Sequence, residues 1–223
     1  MIKNRTAQLT YKSIYIGISI IAILASFGLF DMSFRWDFYI HFTNLSNYLC
    51  IIIILIELID IAKKTENDFV KTFSALKFTA LLSILLTFII YNFMLSFTRD
   101  IKSSFVVGSI TLHIILPLMF IFYYILFCEH GKAKWYYPVV AICFPLAYTF
   151  FIYIHAAIMK FDTSILSFDK SVPFIYPYFF FNLSKFGISG VIKNIVIISV
   201  CFVLFGYIVM LFDRMLARQQ KKR

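Results

Sequence analysis

Six apolar blocks, each about as long as a helix that crosses a bilayer, dominate this sequence and leave little room for another architecture. They run roughly over Ser13–Phe30, Tyr39–Ile61, Ala75–Thr98, Phe105–Phe127, Trp135–Ile158 and Gly190–Phe212. A membrane-spanning helix needs about 20 such residues, whereas a barrel strand needs about half that and alternates apolar with polar. None of the six blocks alternates. Charged residues make up only 14% of the chain, against about 25% in soluble domains, so a water-soluble core is excluded. The expected fold is all-α: one integral membrane domain over residues 1–223, a polytopic six-transmembrane-helix bundle.

Lysine and arginine placement predicts the orientation. With six spans, both termini share a side with the 62–74 and 128–134 loops. That side holds fourteen basic residues and the other seven, which makes both termini cytoplasmic by the positive-inside rule. Topology, and attraction to anionic lipids at the cytoplasmic face, then account for the formal charge of +10 without a nucleic-acid partner. The first block lacks a small-residue cleavage site and reads as an uncleaved first helix. Cys50, Cys128, Cys143 and Cys201 all fall in or at the ends of apolar blocks, which favours buried thiols over a disulfide framework.

Polar side chains inside such spans are costly, so each marks a candidate for function. The stretch "HFTNLSNYLC" (41–50) opens the second block with Thr43, Asn44, Ser46 and Asn47. At about 1.5 Å rise per residue, Thr43, Asn47, Asn92, His113 and His155 all lie in the outer third of the bilayer, with Tyr91 and Tyr148 at similar depths. Glu57 and Asp60 fall at the inner end, where Lys63 and Lys64 are placed to neutralise them. His41 and His130 read as interfacial and loop residues with no special role.

A hydroxyl and an imidazole at one depth point to nucleophilic catalysis, in which the imidazole takes the hydroxyl proton as oxygen attacks an acyl carbon. Asn47, four residues after Thr43 and on the same face, is a candidate oxyanion donor, as is Asn92. Tyr148 and His155 are candidate substrate contacts, and Asp31 and Asp37 candidates to orient His113. This chemistry requires no cofactor and suits a lipid substrate entering from the bilayer.

"HFTNLSNYLC", "LHIILPLMF" (112–120), "YPVVAICFPLAYT" (137–149) and "YPYFFFN" (176–182) together resemble the androgen-induced-gene type of six-span membrane proteins and their bacterial relatives. The resemblance covers most of the chain through short motifs. It implies a multi-pass protein of a bacterial cell membrane that hydrolyses fatty acid esters of hydroxy fatty acids. It further implies Thr43 as nucleophile and His113 as its histidine partner.

Two other classes compete. A haem protein would use His113 and His155 as an axial pair, and a zinc hydrolase would gather His41, His113 and His155, although no close-spaced HxxxH pair is present. A non-enzymatic transporter or scaffold would use Pro117 and Pro145 to kink the fourth and fifth spans, but no row of intramembrane carboxylates accompanies them.

Overall fold

A computed structural model describes residues 2–30, 32, 34–35, 38–64, 74–92, 105–161 and 175–220. The helices are α1 (Arg5–Phe27), α2 (Phe42–Lys63), α3 (Ser74–Ile90), α4 (Phe105–Ile110), α5 (Leu116–Phe127), α6 (Tyr137–Ala141), α7 (Cys143–Phe161) and α8 (Leu183–Gln220). A π turn, Thr111–Ile115, runs α4 into α5, and α6 and α7 are parted only at Ile142. No strand occurs among the described residues. Five stretches are long and apolar enough to cross a membrane: Arg5–Phe27, Phe42–Lys63, Gly108–Phe127, Tyr137–Met159 and Leu183–Gln219. At 17 residues, α3 falls short of that length; residues 93–98 of the expected third span lie outside the described residues, as do Asp31 and Asp37.

Burial runs opposite to that of a soluble protein. Ile20, Ile52, Phe122, Phe150, Val196 and Leu204 are each more than half exposed on the outer faces, while Ser19, Ser46, Asn47 and Ser83 are fully buried. Outward apolar and inward polar side chains are what a lipid solvent selects, because polar groups find partners only inside the bundle. One core forms where α1, α2, α3 and α5 meet, around Tyr15, Ile53, Leu81, Leu116 and Phe120. A second joins α3, α6 and α8 through Phe78, Leu82, Tyr137 and Phe202. There α8 comes close at Gly206, where an added Cβ would meet Pro138 Cβ at 2.9 Å. The third sits at the start of α2, where Ile40 packs with Tyr148 and Ile152 of α7 and with Tyr176 and Phe181 of the segment before α8.

Both interior prolines leave the backbone marks expected of them. Pro145 has no N–H for the carbonyl of Ala141, and the helix breaks at Ile142. Pro117 sits just past the π turn. There the Leu116 N–H is diverted to Thr111 O, and Pro117 has none to give, so the Leu112 carbonyl loses its ordinary helical partner.

At the far end of α2 the ion pairing differs from the sequence expectation. Glu57 pairs not with Lys63 and Lys64 but with lysines from two other helices. Lys12 Nζ of α1 lies 2.9 Å from Glu57 Oε2, and Lys77 Nζ of α3 reaches Oε1. Tyr123 of α5 donates to Oε1 at 2.7 Å. The reason is directional: Glu57 is on the buried face of α2, whereas Lys63 and Lys64 are at its exposed end. One carboxylate therefore ties four helices together.

The same correction applies to His130. Its Nδ1 lies 3.0 Å from Asp213 Oδ1 of α8 and its Nε2 3.0 Å from the Ile125 carbonyl. Both partners are acceptors, so both ring nitrogens carry protons, the state of an imidazolium. Asp213 also accepts from Tyr124 Oη at 3.1 Å and from the Gly131 N–H at 2.8 Å. Gly131 is required here: its φ is +74°, and a Cβ would come within 2.8 Å of Ala217 Cβ. Burial alone would lower the His130 pKa, but its bonds to Asp213 and the Ile125 carbonyl outweigh that and raise it. A raised pKa contributes stability that is full below the ordinary histidine value and fades as pH climbs through the raised one. His130→Gln should therefore lower the thermal midpoint more at about pH 6 than at about pH 9. An equal loss at both pH values would show that the ring is held neutral.

Candidate active site

Asn44, Ser46 and Asn47 of "HFTNLSNYLC" bind backbone carbonyls and a neighbouring helix. Asn44 Nδ2 donates to the Phe38 carbonyl, fastening the preceding 3₁₀ turn (Phe38–Ile40) to α2. Ser46 Oγ donates to Thr43 O at 2.9 Å and meets Thr87 Oγ1 of α3 at 2.9 Å. Asn47 Nδ2 donates both of its hydrogens, to Thr43 O at 2.8 Å and to Leu112 O at 3.0 Å. The second is the carbonyl that the π turn and Pro117 leave without its helical donor. A single amide thus holds together the backbone of Thr43 and that of the residue preceding His113.

This engagement removes Asn47 from the oxyanion role expected of it. With both N–H bonds spent, its remaining polar atom is Oδ1, an acceptor that cannot stabilise negative charge. Asn92 Nδ2 donates one hydrogen, at 2.7 Å, to Phe88 O, four residues back.

His113 lies in the π turn, partly exposed, with its ring stacked on Tyr91 at 4.0 Å. Its Nδ1 lies 2.7 Å from the Ser109 carbonyl, which can only accept, so Nδ1 carries a proton, and in a neutral ring Nε2 is then the basic nitrogen. Tyr91 Oη meets Ser109 Oγ at 3.2 Å, bracing the same turn. A π turn widens the helix and re-aims a side chain, a recurrent device at functional sites.

Thr43 is partly exposed on the first turn of α2, whose N-cap residue His41 makes no side-chain cap. Beside it, the ring of Tyr178 meets the His41 ring edge-on at 6.5 Å. Tyr178 reaches this point from the segment ahead of α8. Its ring stacks on Phe180 at 5.4 Å and meets Tyr148 edge-on at 6.3 Å. The segment is held by Tyr153 Oη donating to Phe181 O at 3.0 Å and Asn194 Nδ2 to Phe180 O at 3.2 Å. Burial pushes the Tyr178 phenol up to about 12, so it is a neutral hydroxyl at neutral pH. Sequence reasoning passed over Tyr178; "YPYFFFN" marked the segment without indicating which ring would pack at the start of α2.

The other expected contacts are dispersed. Tyr148 Oη donates to Ile40 O at 2.7 Å and supports the site from behind. His155 is buried on α7 with Nδ1 3.3 Å from Tyr39 Oη, in surroundings different from those of His113. Among the described residues, no three His, Cys, Asp or Glu side chains are grouped to hold a metal ion, so the His41–His113–His155 zinc arrangement is not assembled.

Among the described residues, fold and site together define an all-helical protein with five helices long and apolar enough to cross a membrane and a polar cluster around the start of α2. No protein-family model, no curated protein and no solved structure matches it.

Proposed function

We propose that this chain is an intramembrane lipid ester hydrolase, similar to the androgen-induced-gene type, with Thr43 as nucleophile and His113 as general base. The observation that carries the reading is the Asn47 amide, which holds the Thr43 carbonyl and the carbonyl beside His113 on one nitrogen. Its support comes from the His113 tautomer, which directs a basic nitrogen rather than an N–H away from Ser109.

The chain crosses a bacterial cell membrane six times with both termini cytoplasmic, its inner face attracting anionic lipids. Its substrates are fatty acid esters, those of hydroxy fatty acids among them, entering sideways from the outer leaflet. The Thr43 proton passes to His113 Nε2 as Oγ1 attacks the ester carbon. The alcohol departs with that proton, and water hydrolyses the acyl-threonine by the same route.

A lipophilic fluorophosphonate tests the nucleophile directly. It should label the purified protein covalently at Thr43 and leave Thr43→Ala unlabelled. Equal labelling of the two proteins would refute the assignment.

A further inference from the structure

An imidazole base works only when its ring is held, because a turned ring offers the wrong nitrogen. We infer, resting on the hydrolase reading above, that Tyr91 is a positioning residue for His113 and that the Ser109 carbonyl takes the place a carboxylate fills in a hydrolase triad. Two things about the imidazole must be fixed: the plane of the ring, and which of two flips it adopts within that plane. The Tyr91 ring, stacked at 4.0 Å and 18° from parallel, fixes the plane. It cannot choose the flip, because a half-turn about the Cβ–Cγ bond leaves the plane where it was. The Ser109 carbonyl chooses, since in the other flip its 2.7 Å contact with Nδ1 would be lost to a ring carbon.

The two supports are themselves joined. Tyr91 Oη lies 3.2 Å from Ser109 Oγ, and Ser109 Oγ lies 3.4 Å from His113 Nδ1. Tyr91 continues the helical path of α3 and comes four residues after Thr87, whose hydroxyl meets Ser46 of α2 at 2.9 Å. Ser46 in turn donates to the Thr43 carbonyl. A spacing of four residues puts both contacts on much the same side of a helix. The C-terminal end of α3 therefore touches both members of the pair, the Thr43 turn through Thr87 and His113 through Tyr91.

A carbonyl suits this task inside a membrane. It accepts from Nδ1–H and keeps Nε2 as the basic nitrogen of the neutral ring, yet it adds no charge that would need a partner of its own. The proton that His113 takes from Thr43 goes on to the departing alcohol. Tyr91 and Ser109 neither give nor take one, so their part is positional.

The test uses the full chain in detergent micelles, with p-nitrophenyl octanoate as probe and nitrogen NMR of isotope-labelled histidine as a second readout. Tyr91→Leu removes the flat face and should lower kcat by about 10²-fold with KM nearly unchanged, the loss expected of a misplaced group. Tyr91→Phe keeps the face and should recover most of that loss. The His113 signals are those missing from His113→Gln. At about pH 8.5, where an ordinary imidazole is neutral, they should show Nδ1 protonated in the parent and a larger share of Nε2–H in Tyr91→Leu. Parental kcat with an unchanged tautomer signal in Tyr91→Leu overturns the role of Tyr91 while leaving Thr43-dependent turnover intact. A loss in Tyr91→Phe equal to that in Tyr91→Leu overturns the role of its ring. Should Tyr91→Leu fail to fold, the parent alone still decides, since an Nε2–H signal for His113 there overturns the proposal. Absence of any Thr43-dependent turnover in the parent overturns the hydrolase reading itself, and this inference with it.

Discussion

Alanine at Thr43 and alanine at His113 are each expected to lower ester turnover by about 10⁴-fold or more, and the double substitution to lose little beyond either. A threonine hydroxyl is far too weak an acid to attack an ester unaided at neutral pH, so without a base the nucleophile is idle. Without the nucleophile, the base has no proton to take. Residues that act as one unit therefore give strongly non-additive losses. Thr43→Ser should retain measurable turnover because it keeps the hydroxyl. Initial rates on a medium-chain ester, with the thermal midpoint as a control for folding, read all four proteins. Multiplicative losses in the double variant would mean that the two side chains act independently.

Removing the charge of Glu57 should cost the bundle about 3–5 kcal/mol, the range found when one member of a buried ion pair is deleted. Lys12 is 2% exposed and its ammonium has been taken out of water for the sake of this carboxylate. In Glu57→Gln two lysines lose their counter-charge, and Tyr123 faces a neutral amide in place of the carboxylate it donates to. The thermal midpoint in detergent should fall sharply. Lys12→Met combined with Glu57→Gln should recover part of the loss, because it removes the more deeply buried of the stranded charges, while Lys77, at 18% exposed, can turn its ammonium toward water. A midpoint in Glu57→Gln close to that of the parent would rule out an energetic role for the cluster.

What could be read from the sequence follows the range over which each signal acts. Apolar run length is a local property, and the C-terminal ends of α2 and α5 fall within about two residues of those expected from it. Both prolines announced their disturbances, since a missing N–H acts within one turn. The partners of Glu57 were not legible. Lys63 and Lys64 are its neighbours along the chain, but the face that Glu57 presents to α1 and α3 depends on the packing of the whole bundle. His130 and Asp213 are 83 positions apart, and nothing local to either advertises the other. Within the site, the sequence supplied Thr43, Asn47 and His113 as polar groups at one depth. It could not show that Asn47 is occupied by a carbonyl released through Pro117. Nor could it show that the chain folds back to pack the Tyr178 ring against His41 and Tyr148 at the start of α2.

The π turn at Thr111–Ile115 also sets the phase between the two halves of its span. It holds one residue more than the α-helical path would, and one residue is worth about 100° of rotation. Without that extra residue, the face carrying Leu116, Phe120 and Tyr123 would turn by the same angle relative to the face carrying Ser109 and His113. The half that anchors Glu57 and the half that presents the histidine are therefore indexed separately.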